Sequence, residues 1–314
     1  MKTALVIQGP TKSSGATGAS QRSGFASSPG PSEIKDFDCK PGLARTLLKH
    51  SASFDVCILV SWDEEDSSFP SVGNLLKVSI AKPAMKIPPF SGGKPNNKLL
   101  QAYGRLEGVR LAAKIGCTFA VVVRSDQELD CSSLLNNAQS FTDVIAVPNF
   151  DPRVPYHLAD FFLAGPTDAL EIFFQSPIIR RPLYRSAHHD YFFQYLMERE
   201  RLRGSLLPLQ LFPKKGCLTV RQSELLQLAW RRYFRPAEAE IYANLIWRGE
   251  PIAEPPPWVD PAQFSFTPCR FFWSANARNM LFYWLGDSAS AAVERLWDRL
   301  VRFVEHARRR ASSG

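Results

Sequence analysis

Three apolar runs in this chain end abruptly in polar residues. Ala4–Ile7 closes on Gln8, Gly9 and Pro10; FDVCILV closes on Ser61, Trp62, Asp63 and Glu64; FAVVV closes on Arg124, Ser125 and Asp126. A buried parallel strand that ends in such residues delivers them to the carboxyl edge of an open α/β sheet, where ligands bind. A carboxylate there can hold a divalent cation through oxygen ligands, and the cation can hold a diphosphate. Asp126 is therefore a candidate ligand for Mn²⁺ or Mg²⁺, and Arg124 can instead neutralise phosphate directly. The alternative for Asp126 is purely structural, as the N-cap of the next helix.

A second constellation lies in YHLADFFLAG, where His157 and Asp160 are spaced i, i+3. An Asp-oriented histidine can act as a base toward an acceptor hydroxyl, or bind phosphate or metal. The structural alternative is a buried histidine satisfied by its neighbouring carboxylate. Asp63 and Glu64 are alternative bases, although an acidic run at a strand end also suits a solvated loop. His188, His189 and Asp190 form a third group. Adjacent helical histidines diverge by ~100°, so a shared metal is not expected and surface placement is.

The elements that must position these groups read as β, loop, α, β, β, α, β, α, β. Strands are expected at Ala4–Ile7, Phe54–Trp62, Leu76–Ala81, Phe119–Val123 and Val144–Val147. Helices are expected at Leu43–His50, from about Asn97 to Ile115, and near Cys131–Gln139. The long helix places Leu99, Tyr103, Leu106, Val109 and Ala113 on one face, and Gly116 ends it. This order predicts a mostly parallel α/β sheet with helices on both faces. Residues 11–33 are rich in Ser, Gly, Thr and Pro and read as a flexible insertion. The string GPTKSSGATG lacks the Gly-Lys-Ser/Thr ending and following helix of a phosphate loop. Beyond residue 150, helices are expected at Asp168–Phe174, Ser186–Arg201, Ser223–Phe234, Pro236–Trp247 and Ser288–Arg310, with a stiff break at Pro255–Pro257. No internal repeat is visible.

The 314 residues, 45% hydrophobic and 22% charged, suit one large soluble domain with an appendage. No apolar run reaches the ~18–20 residues of a membrane span, and the N-terminus reads as a first strand and not a leader, so a cytoplasmic protein is expected. The six cysteines are scattered without a C-x-x-C pair, which leaves zinc and redox motifs unsupported. The formal net charge of +8, with arginines crowding the second half, favours an anionic partner. The terminal helix places Val293, Leu296, Trp297, Leu300 and Val304 on one stripe with arginines elsewhere. It reads as a basic amphipathic helix, docked on its own core or in peripheral contact with an anionic inner membrane.

Four motifs taken in order resemble the WavE family of lipopolysaccharide-synthesis proteins, which are similar to GT-A type glycosyltransferases. They are Gln8-Gly9-Pro10 after a strand; Asn97 with Gln101 on a helix; Arg124-Ser125-Asp126 after a strand; and Pro155, Tyr156, His157, Asp160 and Phe161. The resemblance covers roughly residues 1–175. The chain departs from it at Ala102-Tyr103, in the insertion after Pro10, and through most of the second half, where only AEAEIYAN matches loosely. The Pro-rich linker and basic helix read from the residues themselves occupy 251–314, and the resemblance implies a GT-A-like, Rossmann-type domain before them, over residues 1–250. It implies that Gln8, Gly9, Pro10, Asn97, Gln101, Arg124 and Ser125 bind a nucleotide-sugar donor, that Asp126 binds metal, and that His157, Asp160 and Asp126 are catalytic. The usual Asp-x-Asp has Arg124 at its first position here. One carboxylate is thus replaced by a cation, which weakens metal binding or substitutes for it.

The leading expectation is a glycosyltransferase that moves a sugar from a nucleotide-sugar to a saccharide of a glycan or glycolipid in lipopolysaccharide or other surface glycan synthesis. The alternatives are a nucleotidyltransferase of sugar metabolism and a nucleic-acid-binding protein. No nucleic-acid partner is expected, because a recognisable motif and a basic–aromatic strand signature are both lacking.

Overall fold

A computed structural model describes residues 1–15, 35–62, 72–81, 97–140, 143–148, 161–179, 195, 199, 228 and 230–252. Its centre is a seven-stranded sheet. In chain order the strands are β1 (Thr3–Gln8), β4 (Val56–Trp62), β5 (Leu75–Ile80), β6 (Phe119–Arg124), β8 (Ile145–Val147), β9 (Leu163–Pro166) and β10 (Phe234–Pro236). Their order across the sheet is β10-β8-β9-β6-β1-β4-β5. All run the same way except β9, which is antiparallel to both β6 and β8. This is the mostly parallel, Rossmann-like α/β sheet expected from the sequence.

The central strands are apolar at nearly every position because both faces are covered. Val6, Ile58, Val60, Ala120 and Val122 enter one core with helices α2 (Asn97–Lys114) and α4 (Thr167–Ile179). Leu5, Ile7, Leu59, Val121 and Val123 alternate to the other face, under α1 (Lys40–His50) and α3 (Cys131–Gln139). β5 lies at the edge and is only half-buried.

Helix α2 lies against β1 through a face shifted from the expected one. Ala102, Leu106, Val109 and Ala112 are buried, whereas Tyr103 is half-buried and Ala113 is exposed. The reason is side-chain size. Gly104 and Gly108 sit on the contact face; a Cβ on Gly108 would strike Val6 and lie 3.0 Å from a Val60 methyl. The helix backbone therefore approaches the sheet where the residues are small, and hydrophobic periodicity alone does not reveal that line.

Three further expectations change. Residues 12–15 belong to an ordered ribbon: β2 (Lys12–Gly15) pairs antiparallel with β3 (Lys35–Asp38), so the insertion's first residues are strand. The expected helix over Pro236–Trp247 shortens to Ala239–Ala243. It is followed by a hairpin of β11 (Ile246–Trp247) and β12 (Glu250–Pro251), which continues onto β7 (Gln127–Glu128) as a three-stranded sheet. The expected helix ending at Phe234 stops earlier, because Phe234 begins β10. Ile252 is still buried in the core. The terminal basic helix, the Pro255–Pro257 break and most of 186–201 lie outside the described residues. Among those described, no helix is long and apolar enough to cross a membrane.

Candidate functional site

The carboxyl ends of β1, β4 and β6 open on a cavity of about 340 Å³. Gln8, Gly9, Pro10, Gln101, Arg124, Ser125 and Asp126 all line it, together with Trp62 from β4. The polar ends of all three apolar runs thus meet at one place. The parallel register accounts for this, since Gln8 stands beside Val60 on one side and Arg124 on the other. Asn97 begins α2, one turn before Gln101. His157 and Asp160 lie outside the described residues, as do Asp63, Glu64 and the 188–190 group. Phe161, the last residue of their motif, is described and packs edge-on against Trp247 at 5.5 Å.

The turn after β1 depends on Gly9. Its φ is +145°, and a Cβ there would run into Ser125 Oγ. Ser125 holds this crossing: its N–H donates to Gln8 O at 3.0 Å and its hydroxyl to Pro10 O at 2.8 Å. The Gln-Gly-Pro and Arg-Ser-Asp motifs are therefore physically one unit.

Asp126 is the centre of the site, 4% exposed. Arg124 donates to both of its oxygens, Nε to Oδ1 at 2.9 Å and an Nη to Oδ2 at 2.8 Å. Oδ2 also accepts from Arg248 Nε at 3.1 Å, Trp247 Nε1 at 3.1 Å and Ser13 Oγ at 3.3 Å. Arg248 Nε reaches Ser13 Oγ as well, at 3.0 Å, and its backbone N–H donates to Asp126 O. The Trp247 ring packs against both cations, with Arg248 4.8 Å and Arg124 5.6 Å from its ring centroid.

Burial alone would raise the Asp126 pKa, but the Arg124 charge and hydrogen bonds, with Arg248 and Trp247, outweigh it and hold the carboxyl below its usual range. Burial lowers the Arg248 pKa while Asp126 raises it. Among the described residues both guanidiniums pair with the one Asp126 carboxylate, and Lys12 lines the same cavity. Cys39 is also close. Burial first, and then the Asp126 charge, push its thiol up to about 12, so it is a neutral side chain and not a nucleophile.

The helix-cap alternative for Asp126 does not hold, since Asp130 caps α3 by accepting from the Ser133 N–H at 2.9 Å. The described residues also do not fit a divalent cation. Both Asp126 oxygens are occupied by charged donors, and among the described residues no group of three or more His, Cys, Asp or Glu side chains is placed to hold one. A cation here would meet two guanidiniums at the only carboxylate that lines the cavity among the described residues.

Sequence reasoning missed Ser13, Trp247 and Arg248. Ser13 was hidden in the Ser/Gly-rich stretch, and the other two at the end of a segment with helical composition. The one cue in the sequence is Gly249; in the structure Arg248-Gly249 stands between two short extended pairs, and both residues have positive φ, 51° and 78°, as a two-residue hairpin turn requires. Arg248 adopts a left-handed conformation that costs on the order of 1–2 kcal/mol, and its bonds to Asp126 and Ser13 hold it there.

No family model matches the chain, and no curated protein matches it, so the resemblance to WavE-like proteins rests on its four motifs. Among solved structures, the chain is similar to mannose-1-phosphate geranyltransferase from Thermus thermophilus, at 13% identity and a TM-score of 0.29, over 62% of this chain and 68% of that one.

Proposed function

We propose that this chain is a glycosyltransferase that transfers a sugar from a nucleotide-sugar donor to a saccharide acceptor on a glycan or glycolipid. The observation that carries the reading is the cavity at the carboxyl edge of the parallel sheet, where Arg124 and Arg248 converge on Asp126 and Lys12 supplies a third cation to the lining. Transfer from such a donor builds negative charge on the departing nucleoside diphosphate. Preorganised cations at that position stabilise the charge without a proton transfer. In this reading Arg124 and Arg248 do what a divalent cation does elsewhere, and Asp126 holds them in place. Guanidiniums suit the task, being always charged and shaped to meet phosphate oxygens. Activation of the acceptor hydroxyl falls to His157 or Asp160, on the grounds of their spacing and of Phe161 packing on Trp247. The basic terminal helix remains the candidate for contact with an anionic membrane carrying a glycolipid acceptor, and no nucleic acid is part of the reading.

The test is a panel of nucleotide sugars incubated with the protein and a mixed-glycan acceptor pool, with products resolved by anion-exchange chromatography. Release of free nucleoside diphosphate, strongly reduced in Arg248→Met, supports the proposal. Release of pyrophosphate would assign a nucleotidyltransferase instead, and no turnover of any donor would end both readings.

A further inference from the structure

The cavity also holds polar groups that its cations do not explain. Gln8 is 2% exposed, and among the described residues nothing donates to its Oε1; Gln101 is only half-buried, but its Oε1 is shut from solvent and likewise unpartnered among the described residues. Both residues line the cavity. A buried carbonyl without a donor is unfavourable, and native structures keep few of them. Here the fold makes room for the arrangement. Gly104 follows Gln101 by three positions on α2, hence on the same face. A Cβ on Gly104 would lie 2.6 Å from Gln8 Cγ and 3.0 Å from its Nε2, so the missing side chain is what lets the Gln8 amide sit beneath the helix.

We infer that Gln8 and Gln101 form an acceptor pair that selects a ligand bearing N–H or O–H donors beside its anionic group. The inference rests on the proposed donor site and adds its specificity: the cations hold the phosphates, and the two carbonyls read the neighbouring uncharged part. Nucleobase N–H groups and sugar hydroxyls both present such donors. A ligand that supplies them satisfies two buried acceptors, whereas an analogue without them leaves both unpaired, and sites of this kind discriminate strongly.

Methionine is the variant of choice, because it keeps the length of glutamine and removes the amide. Binding of pyrophosphate, of the uridine, cytidine, guanosine and adenosine diphosphates, and of hexose 1-phosphates is measured by calorimetry on the full chain. Melting temperatures are recorded in parallel. In the wild type, one class binds more tightly than pyrophosphate; nucleoside diphosphates would assign the pair to a base, and hexose 1-phosphates to a sugar. Gln8→Met and Gln101→Met lose roughly ten- to hundredfold in affinity for that class and stay within about twofold for pyrophosphate. Gln8→Met melts at or above the wild-type temperature, because it removes an unsatisfied buried group. A merely structural Gln8 would melt lower, and that result overturns the inference. Equal affinity for pyrophosphate and every other probe, unchanged by the methionines, overturns it while leaving the cationic site standing. No binding of any probe, pyrophosphate included, removes the donor site and the inference with it.

Discussion

Replacing Asp126 with asparagine separates two roles that a carboxylate can play at this sheet edge. If Asp126 were kept for a cation, it would be a destabilising buried charge in the metal-free protein, and Asp126→Asn in EDTA would be neutral or stabilising. If it anchors two guanidiniums, the same change leaves Arg124 and Arg248 facing an amide, with their side chains only 12% and 10% exposed. Breaking a buried pair from one side costs about 3–5 kcal/mol, a large share of the roughly 5–15 kcal/mol that holds a typical domain together. Five donors converge on the carboxylate, which places this variant at the upper part of that range. Urea unfolding in EDTA at pH 7 is the assay, with Arg124→Met and the double variant completing a cycle. The double variant should lose less than the two single losses combined, because it removes a charge together with its partner. The sign of the pH dependence follows. The folded pKa of Asp126 is depressed, so its stabilisation is present above the unfolded value of about 4 and is lost as pH falls through the folded value. The wild type should therefore lose stability in that acid range, and Asp126→Asn should lose much less. Stability of Asp126→Asn within about 1 kcal/mol of wild type at pH 7 would refute the anchoring role.

The helix–sheet contact at Gly108 makes its own prediction. Helix propensity favours Gly108→Val, but the new side chain meets Val6 and Val60, and the variant should lose about 2 kcal/mol or more by chemical denaturation. A stabilised variant would mean that α2 does not lie this close to the sheet. Burial pushes the Cys39 and Cys57 thiols up to about 12 and raises those of Cys117 and Cys131. All four are buried and free, so peptide mapping after iodoacetamide at about pH 8 should find them unmodified in the native protein and modified in urea. Rapid native labelling of Cys39 would show that the ribbon over Asp126 opens readily.

The strands that build the site could be read from sequence because each is buried on both faces and ends in a polar cluster. Composition then gives both the strand and the point where it stops. Gln8, Arg124 and Asp126 could be placed at one edge for that reason, and parallel pairing brings them together. The partners of Asp126 could not be read in the same way. Ser13 and Arg248 are 235 positions apart, and each bonds Asp126 from a short ribbon whose local composition suggests a loop or a helix. Long-range pairing of two- and four-residue strands leaves little periodicity in sequence. The face of α2 was misplaced for a related reason. Its closest approach is marked by Gly104 and Gly108, whose value lies in the side chains they lack.

The central claim is that two arginines, and not a metal, hold the anion at this sheet edge. The most direct measurement is calorimetric titration of uridine diphosphate, the guanosine and adenosine forms and pyrophosphate into the full chain, in EDTA and then with Mn²⁺. Alongside the wild type stands Arg248→Met, checked to be folded at the working temperature. Binding should persist in EDTA, weaken with added salt, change little with Mn²⁺ and fall at least about tenfold in Arg248→Met. Binding that appears only with Mn²⁺ and is indifferent to Arg248 would contradict the claim.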